Sequence, residues 1–183
     1  MRKPWHVVES LLEGDYRVFN LRRDRAVNPR TGTQHDFFIL ESPDWVNVIP
    51  VTPDREVVMV RQYRHGIKDF TLEIPGGIID PEDGDPGQAA LRELREETGY
   101  WSDELVHLGT VQAQPALQNN FCHTFLALNA VRVTEPSPDP GEDLNVVTIP
   151  LEEIPGRIRA DEISHGLVLA AFYWLELWNR EQR

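Results

Sequence analysis

The alternation of hydrophobic and polar positions in the first part of the chain predicts β-strands joined by short turns. Residues 16–22 alternate in side-chain character with a period of two, and residues 35–40 form an aromatic and β-branched run. Residues 45–51 and 56–61 are two apolar runs around a proline-containing turn, which is typical of a β-hairpin. A short strand is expected over residues 71–74, ending at a Pro-Gly-Gly sequence.

The next segment predicts a helix from about residue 86 to residue 98. Pro86 suits the first helical turn, Asp85 is a suitable N-cap, and Gly99 is a suitable C-terminal stop.

The remainder of the chain mixes both periodicities. Strands are predicted over residues 105–111 and 122–133, and an exposed proline-rich loop over residues 134–142. Helices are predicted over residues 151–160 and 164–180, the second with a broad apolar stripe. Strands before, between and after helices indicate a mixed α/β or α+β sandwich.

Composition narrows the function classes. The chain has 183 residues, of which 30 are acidic and 18 basic, giving a formal net charge of −12. Such a chain, without a long basic run, is a poor binder of nucleic acid. Its single cysteine, Cys122, suits a reducing cytoplasm. The longest apolar run, residues 166–175, is far shorter than the roughly 20 residues that span a bilayer, so no membrane role is expected.

The helix over residues 86–98 carries an unusual set of like charges. Glu93, Glu96 and Glu97 project from one side, where each like-charged pair costs roughly 0.2–0.5 kcal/mol. A divalent cation would reverse that penalty, and hard oxygen ligands suit Mg²⁺ or Mn²⁺. The alternative is a solvated helix in which Arg92 and Arg95 pair with the glutamates.

Residues 77–100 resemble the Nudix box, G-x5-E-x7-R-E-U-x-E-E-x-G-U, in which U is a bulky apolar residue. The second half, from Arg92 to Tyr100, matches at every specified position. The first half is one residue longer than the pattern. Glu82 and Asp83 are therefore both eligible for the isolated acid that, in this family, holds the loop against the helix.

The resemblance implies a metal site and a catalytic role for its residues. Glu93 and Glu97 would be metal ligands, Glu96 a further ligand and catalytic group, and the carbonyl of Gly76 would complete the first site. Arg92 would orient the glutamates through salt bridges. The implied cofactor is Mg²⁺, with Mn²⁺ as a possible substitute.

The resemblance also implies the fold and its division. We expect an α+β Nudix fold, an α/β/α sandwich with a mixed central sheet, a catalytic loop-helix and an N-terminal β subdomain. Residues 1–43 would form N-terminal strands that serve dimerisation, and residues 44–183 the Nudix hydrolase domain. The expected assembly is a homodimer.

Stretches outside the box are similar to the ADP-ribose pyrophosphatase and nucleotide-sugar hydrolase branch of the family. They include residues 61–64, residues 72–77 and Pro115, which lies 15 residues after Tyr100. The implied reaction is metal-dependent hydrolysis of ADP-ribose to AMP and ribose 5-phosphate. Other nucleoside diphosphate sugars, such as GDP-mannose, ADP-glucose or UDP-glucose, are the alternative substrates.

Four side chains are candidates for binding the substrate. An arginine fork grips a diphosphate through two charge-assisted hydrogen bonds, and we prefer Arg64 to Arg61 for this role. Glu73 precedes the Gly-Gly pair on a strand that leads into the site, where it could bind metal or sugar hydroxyls. Gln118 offers an amide group for a base or a sugar.

The attacking water also needs a base. In this branch of the family it often comes from a loop before the C-terminal helices, which here favours Glu142, with Asp143 and Asp139 as alternatives. His123 and His165 are rivals, but a histidine in a strand or at a helix start is more often structural.

Two other function classes remain as alternatives. A non-catalytic, nucleotide-sensing Nudix module would be expected to have an eroded box, whereas Glu93, Glu96 and Glu97 are all present. An RNA-cap hydrolase is disfavoured by the acidic balance.

Overall fold

The computed structural model describes residues 3–138 and 141–182, and two units can be distinguished in it. The first consists of residues 1–43 together with residues 112–121, and the second of residues 44–111 together with residues 122–183. Residues 77–100, which resemble the Nudix box, lie in the second unit.

The first unit is built on a three-stranded antiparallel meander. Its strands are β1 (His6–Asp15), β2 (Asn20–Val27) and β3 (Gln34–Glu41). The strand predicted over residues 35–40 is confirmed as part of β3. The strand predicted over residues 16–22 is wrong in its first half, because Arg17 has a φ of 68° within the turn that joins β1 to β2.

The second unit contains a seven-stranded mixed sheet. Its strands are β4 (Trp45–Val51), β5 (Glu56–Arg64), β6 (Asp69–Glu73), β7 (Gly76–Ile78), β9 (Glu104–Gln112), β10 (Phe121–Leu128) and β12 (Leu144–Pro150). The main path runs β12-β5-β4-β10-β9, while β6 pairs with β5 and β7 with β4. β10 runs parallel to β4, whereas β12 and β6 run antiparallel to β5, so the expected mixed sheet is confirmed. A small two-stranded ribbon joins β8 (Tyr100–Trp101) to β11 (Val131–Arg132).

Three helices complete the second unit: α1 (Pro86–Thr98), α2 (Ile154–Arg159) and α3 (Gly166–Glu181). The bounds predicted for α1 are confirmed. The Asp85 side chain accepts from the backbone N–H groups of Gly87 at 2.8 Å and Gln88 at 3.1 Å, and Gly99 ends the helix with a φ of 75°. No helix among the described residues has the length and apolar content needed to cross a membrane.

The helices cover both faces of the sheet. On β4, Val46 and Val48 belong to a buried cluster with Leu94 of α1, whereas Ile49 belongs to a second cluster with Phe172 of α3. Strand alternation therefore directs successive β4 side chains to opposite helical layers. This is the expected α/β/α sandwich, and it positions α1 directly against β4.

Candidate active site

The loop before α1 is held to that helix by a partly buried ion pair between Arg92 and Asp83. Arg92 donates from Nε to Asp83 Oδ1 at 2.7 Å and from Nη2 to Asp83 Oδ2 at 2.9 Å. Asp83 ends a short 3-10 turn, Pro81–Asp83, and its side chain is only 6% exposed, whereas Glu82 points to solvent. Of the two acids eligible from the sequence, the structure brings Asp83 to Arg92. The guanidinium hydrogen bonds hold the pKa of Asp83 below its ordinary value.

Arg92 also orders the glutamates of α1. Its Nη1 donates to Glu93 Oε1 at 2.9 Å and to Glu96 Oε2 at 3.1 Å, and its Nη2 donates to the Ile78 carbonyl at 3.0 Å. One guanidinium thus connects the loop acid, the strand β7 and two carboxylates of the box. Its hydrogen bonds to Asp83, together with these carboxylates, raise the pKa of Arg92, so the side chain stays charged.

The Gly76-Gly77 pair allows the backbone to approach the helix closely. Gly76 pairs with Asn47 of β4, and its N–H donates to Glu97 Oε2 at 3.1 Å. A Cβ at Gly77 would lie 2.3 Å from Glu93 Oε1, and a Cβ at Gly76 would lie 2.3 Å from the Val46 carbonyl oxygen. A side chain at Gly76 would meet backbone, and one at Gly77 would displace the Glu93 carboxylate.

Two of the box glutamates are buried, and their pKa values are raised. Glu93 is 8% exposed and Glu97 is 2% exposed. Burial raises the pKa of Glu93 to about 7, although Arg92 opposes the shift. Burial and the neighbouring charge of Glu93 raise the pKa of Glu97 well above its ordinary value. The negative charge of Glu142 raises both pKa values further.

This arrangement fits a divalent cation with oxygen ligands. Burying carboxylates that repel one another is costly unless a positive charge compensates them. Among the described residues no three acidic, histidine or cysteine side chains form a ready-made coordination cluster. In the structure Glu93 is held by Arg92, and Glu97 by the N–H of Gly76. Hard oxygen donors of this kind suit Mg²⁺ or Mn²⁺.

A cavity of about 690 Å³ opens in front of α1, and we refer to it as the main cavity. Its size lies within the range of small-molecule sites. The polar lining that carries chemistry consists of Arg64, Glu73, Glu93, Glu96, Glu142 and His165, and Gly76 lies at the same wall. Glu97 is packed behind Gly76 rather than at the cavity surface. The main cavity therefore combines a carboxylate wall with two arginines, of which Arg64 has the more exposed side chain, 43% against 28% for Arg92.

Arg64 and Glu73 face each other across the strand pair β5–β6. Arg64 donates from Nε and Nη2 to the two carboxylate oxygens of Glu73, each at 2.7 Å. The Thr71 hydroxyl donates to the same carboxylate. Burial alone would raise the pKa of Glu73, but these hydrogen bonds outweigh it and hold the pKa below its ordinary value. The hydrogen bonds to Glu73 raise the pKa of Arg64 in turn.

Other predicted residues lie elsewhere. Arg61 points away from the main cavity, because strand alternation places it on the opposite face from Arg64, with its guanidinium 5.8 Å from the centre of the Phe70 ring. Gln118 belongs to the first unit, where its backbone bridges to Leu40.

The alternative bases are also placed differently from Glu142. Asp143 is exposed and does not line the main cavity. Asp139 lies outside the described residues. Of the two histidines, His123 lies 3.6 Å from Asp44, away from the main cavity.

His165 lines the main cavity, although sequence reasoning set it aside as structural. It is the N-cap residue of α3, and its Nδ1 lies 3.9 Å from Glu73 Oε2. No motif marks it. The available signal was its position at a helix start, which suits many structural residues equally well.

Comparison with known proteins places this site in a family. The NUDIX domain family matches residues 42–172. The chain is 30% identical over 141 residues to an ADP-ribose pyrophosphatase of Bacillus subtilis (strain 168), covering 76% of this chain and 75% of the relative. It is 38% identical over 130 residues to an ADP-sugar pyrophosphatase of Mus musculus, covering 66% of this chain and 59% of the relative.

A solved structure shares the fold. The crystal structure of an ADP compounds hydrolase aligns with a TM-score of 0.87 and 19% identity, covering 100% of this chain and 97% of the other. The box residues, the loop–helix geometry and the extent of these matches lead to one conclusion: the chain belongs to the Nudix hydrolase family.

Proposed function

We propose that this protein hydrolyses ADP-ribose to AMP and ribose 5-phosphate with the help of a divalent cation. The observation that carries the proposal is the pairing, in one cavity, of buried box carboxylates with Arg64. The carboxylates suit a metal, and the arginine suits a diphosphate. The Bacillus subtilis relative, which shares 30% identity, is named for its action on ADP-ribose.

The metal would be held by Glu93, Glu97 and Glu96 together with the carbonyl of Gly76. We propose Mg²⁺, with Mn²⁺ as a substitute. When bound, the metal polarises the phosphates and lowers the pKa of the attacking water. Arg92 is proposed to orient Glu93 and Glu96, to which it already donates hydrogen bonds.

Arg64 is proposed to bind the diphosphate, and Glu73 to hold Arg64 and to meet sugar hydroxyls. Arg64 lines the main cavity and its side chain is 43% exposed, so its fork can reach a ligand. The roles of Arg61 and Gln118 in substrate binding remain predictions.

Glu142 is proposed as the base that takes a proton from the attacking water. It lines the main cavity, and its charge acts on Glu93, Glu97 and Arg64. A carboxylate near the metal site can accept that proton at neutral pH. The loop that contains it connects the ribbon strand β11 to the sheet strand β12.

The deciding experiment is a substrate panel with product identification. The protein would be incubated with Mg²⁺ and ADP-ribose, ADP-glucose, UDP-glucose or GDP-mannose, and the products identified by mass spectrometry. We expect the highest kcat/KM for ADP-ribose, and loss of turnover in EDTA and in Glu97→Gln. If the kcat/KM were highest for another nucleotide sugar, that compound would be the substrate instead of ADP-ribose. Binding of ADP-ribose without any turnover would favour the sensing module.

We also propose that the protein acts as a homodimer that forms through residues 1–43. Large apolar side chains are exposed on this three-stranded unit, including Leu12 at 65% and Phe38 at 51%. Exposed apolar surface of this kind marks interaction sites. Light scattering coupled to size exclusion would test the proposal: Phe38→Lys should shift the mass to that of a monomer, and an unshifted mass would reject it.

The proposed compartment is the reducing cytoplasm. Its support is that the single cysteine, Cys122, is a buried free thiol. Localisation of a tagged full-length chain by microscopy or fractionation would test this.

A further inference from the structure

Two histidines on neighbouring strands face the same hydroxyl group, away from the main cavity. His107 lies on β9 and His123 on β10, and these strands are adjacent in the seven-stranded sheet. The Thr110 hydroxyl oxygen lies 3.1 Å from His107 Nε2 and 3.0 Å from His123 Nδ1. The centres of the two rings are 6.1 Å apart. One nitrogen of each imidazole is therefore directed at a common point.

The other ring nitrogen of His123 faces a carboxylate. Its Nε2 lies 3.6 Å from Asp44 Oδ2, which is an ion-pair distance. A carboxylate on this side of the ring favours the tautomer with its proton on Nε2, and that tautomer leaves a lone pair on Nδ1. Histidines that bind metal ions commonly have such a partner, because it fixes both the tautomer and the ring orientation.

A single hydroxyl group can donate to only one of the two imidazoles. With the proton of His123 on Nε2, the Thr110 hydroxyl donates to His123 Nδ1, and His107 must then donate from Nε2 to the hydroxyl oxygen. His107 is exposed to solvent, so its proton can instead reside on Nδ1. In that tautomer, lone pairs of both imidazoles point to the same place, and a cation there would satisfy them together.

We infer that His107 and His123 form a second metal site, which binds a transition-metal ion of the Zn²⁺, Ni²⁺ or Cu²⁺ class. The ligands are His107 Nε2 and His123 Nδ1, water completes the coordination, and Asp44 orients His123. Imidazole nitrogen suits these ions, whereas Mg²⁺ prefers oxygen ligands. The site therefore differs in chemistry from the carboxylates of α1, and the inference does not depend on the proposed function.

Side-chain rotations are sufficient to bring the two nitrogens to a metal ion. Bonds from zinc to imidazole nitrogen are about 2.0–2.1 Å long, so both rings must move slightly toward the common point. Thr110 is exposed and its hydroxyl can turn aside, while the side chain of His123 is 21% exposed and accessible to an ion. The backbones of both ligands are held by the sheet, which reduces the entropy lost on binding.

The second metal site adjoins the part of the core that supports α1. The ring of His107 lies 5.1 Å, centre to centre, from the ring of Phe125, and Phe125 belongs to the buried cluster that includes Leu94 of α1. An ion that joins β9 to β10 here stabilises the strands under that helix. Because the two ligands come together only in the folded chain, binding should raise the melting temperature.

Calorimetric titration of the untagged protein with Ni²⁺, in saturating Mg²⁺, tests the site directly. His107→Gln and His123→Gln each leave a single imidazole and should weaken Ni²⁺ binding about 100-fold, because the second ligand no longer acts at high effective concentration. Asp44→Asn should weaken it about tenfold. His35→Gln is the matched control: His35 Nε2 also lies 3.1 Å from a threonine hydroxyl, that of Thr33, but no second imidazole in the described part of the chain shares this contact.

Spectroscopy counts the ligands, and unfolding measures the effect on stability. With less than one equivalent of Cu²⁺, the electron paramagnetic resonance spectrum of the wild type should show two coupled imidazole nitrogens, and that of either histidine variant only one. Zn²⁺ should raise the melting temperature of the wild type and His35→Gln but not of His107→Gln.

Equal Ni²⁺ affinity in the wild type and His107→Gln, or one coupled nitrogen in the wild type, would overturn the inference. His107 is exposed, so His107→Gln should fold and decides the question even if His123→Gln does not.

Discussion

Gly77 and Glu93 constrain each other, since a Cβ at position 77 would lie 2.3 Å from Glu93 Oε1 and 2.6 Å from its Cδ. The obstructing atoms are the end of a flexible side chain, so a methyl group at Gly77 can be accommodated if the carboxylate turns away. At Gly76 the obstruction is the backbone carbonyl of Val46, again at 2.3 Å, and it cannot move without disturbing β4. Gly77 is therefore needed for the position of the Glu93 carboxylate, and Gly76 for the close approach of the β7 backbone to β4.

Gly77→Ala should impair the site more than the fold. Because the Glu93 carboxylate must leave its position, we expect metal affinity and kcat to fall about 10- to 100-fold, as when groups that orient a metal ligand are lost. Gly76→Ala should lower the melting temperature, by disturbing the β4–β7 pairing, and it should also lower metal affinity, because the backbone that shifts carries the proposed ligand carbonyl and the N–H that binds Glu97. Metal titration of activity and thermal unfolding measured on both variants check this. A Gly77→Ala enzyme with normal metal affinity would contradict it.

Asp83→Asn should loosen the loop before α1. The substitution removes the charge that receives two hydrogen bonds from Arg92, one at 2.7 Å and one at 2.9 Å, at an acid that is 6% exposed. We expect a loss of about 2 kcal/mol of stability and reduced kcat, because Arg92 also holds Glu93 and Glu96. Denaturant unfolding and steady-state kinetics would measure both.

Glu82→Gln is the control for this variant. Glu82 is adjacent in sequence but exposed, so its substitution should leave stability and kcat near wild type. Equal effects at both positions would mean that the loop is not held through Asp83.

The choice between Glu82 and Asp83 illustrates what the sequence could not decide. One residue more than the box pattern lies between Gly77 and Arg92. Counted forward from Gly77 the box acid falls on Asp83, whereas counted back from Arg92 it falls on Gly84, so the two halves of the pattern disagree about its position. The structure accommodates the additional residue after the 3-10 turn, where Gly84 has a φ of 79°. Which acid faces Arg92 depends on the path of that turn, and no local periodicity encodes it.

Some secondary-structure elements could be predicted from the sequence and others could not. α1 was predictable because its cap, its stop and its buried face all indicate the same bounds. β1 was not predicted, because its apolar residues come in adjacent pairs, as at Leu11 and Leu12, rather than alternating. The register shifts between Val7 and Glu9 and between Leu12 and Gly14, and such bulges break the period-two signal. β12 was also not predicted. It is an edge strand that pairs with β5 at the end of the main sheet path, and this pairing is a long-range contact.

Glu142→Gln should slow turnover without weakening substrate binding. If Glu142 takes the proton of the attacking water, its amide should reduce kcat about 10²- to 10⁴-fold with little change in KM. Asp143→Asn is the matched control, because Asp143 is exposed and outside the main cavity. Steady-state kinetics at saturating Mg²⁺ would distinguish them, and a larger loss in Asp143→Asn would transfer the role to that residue.

The raised pKa values on α1 predict how stability and metal binding depend on pH. Between the ordinary pKa of 4.5 and the value of about 7 for Glu93, the folded protein binds more protons than the unfolded chain. Stability of the metal-free protein should therefore fall as the pH rises through this window. Each pKa unit corresponds to about 1.4 kcal/mol, so Glu93 alone can change stability by a few kcal/mol. Glu97, whose pKa is also raised, acts in the same direction.

A divalent cation should reverse this trend, because it binds the deprotonated carboxylates of the folded state only. We expect Mg²⁺ to raise the melting temperature strongly at pH 8 and weakly at pH 5.5, where protons compete for Glu93 and Glu97. Glu93→Gln should flatten the pH dependence of the metal-free protein and reduce the response to Mg²⁺, whereas the exposed Glu152→Gln should change neither. Calorimetric unfolding across this pH range, with and without Mg²⁺, provides the measurement. If Mg²⁺ raised the melting temperature equally at both pH values, the metal would not be binding Glu93 and Glu97. The placement of the cation on α1 would then be rejected.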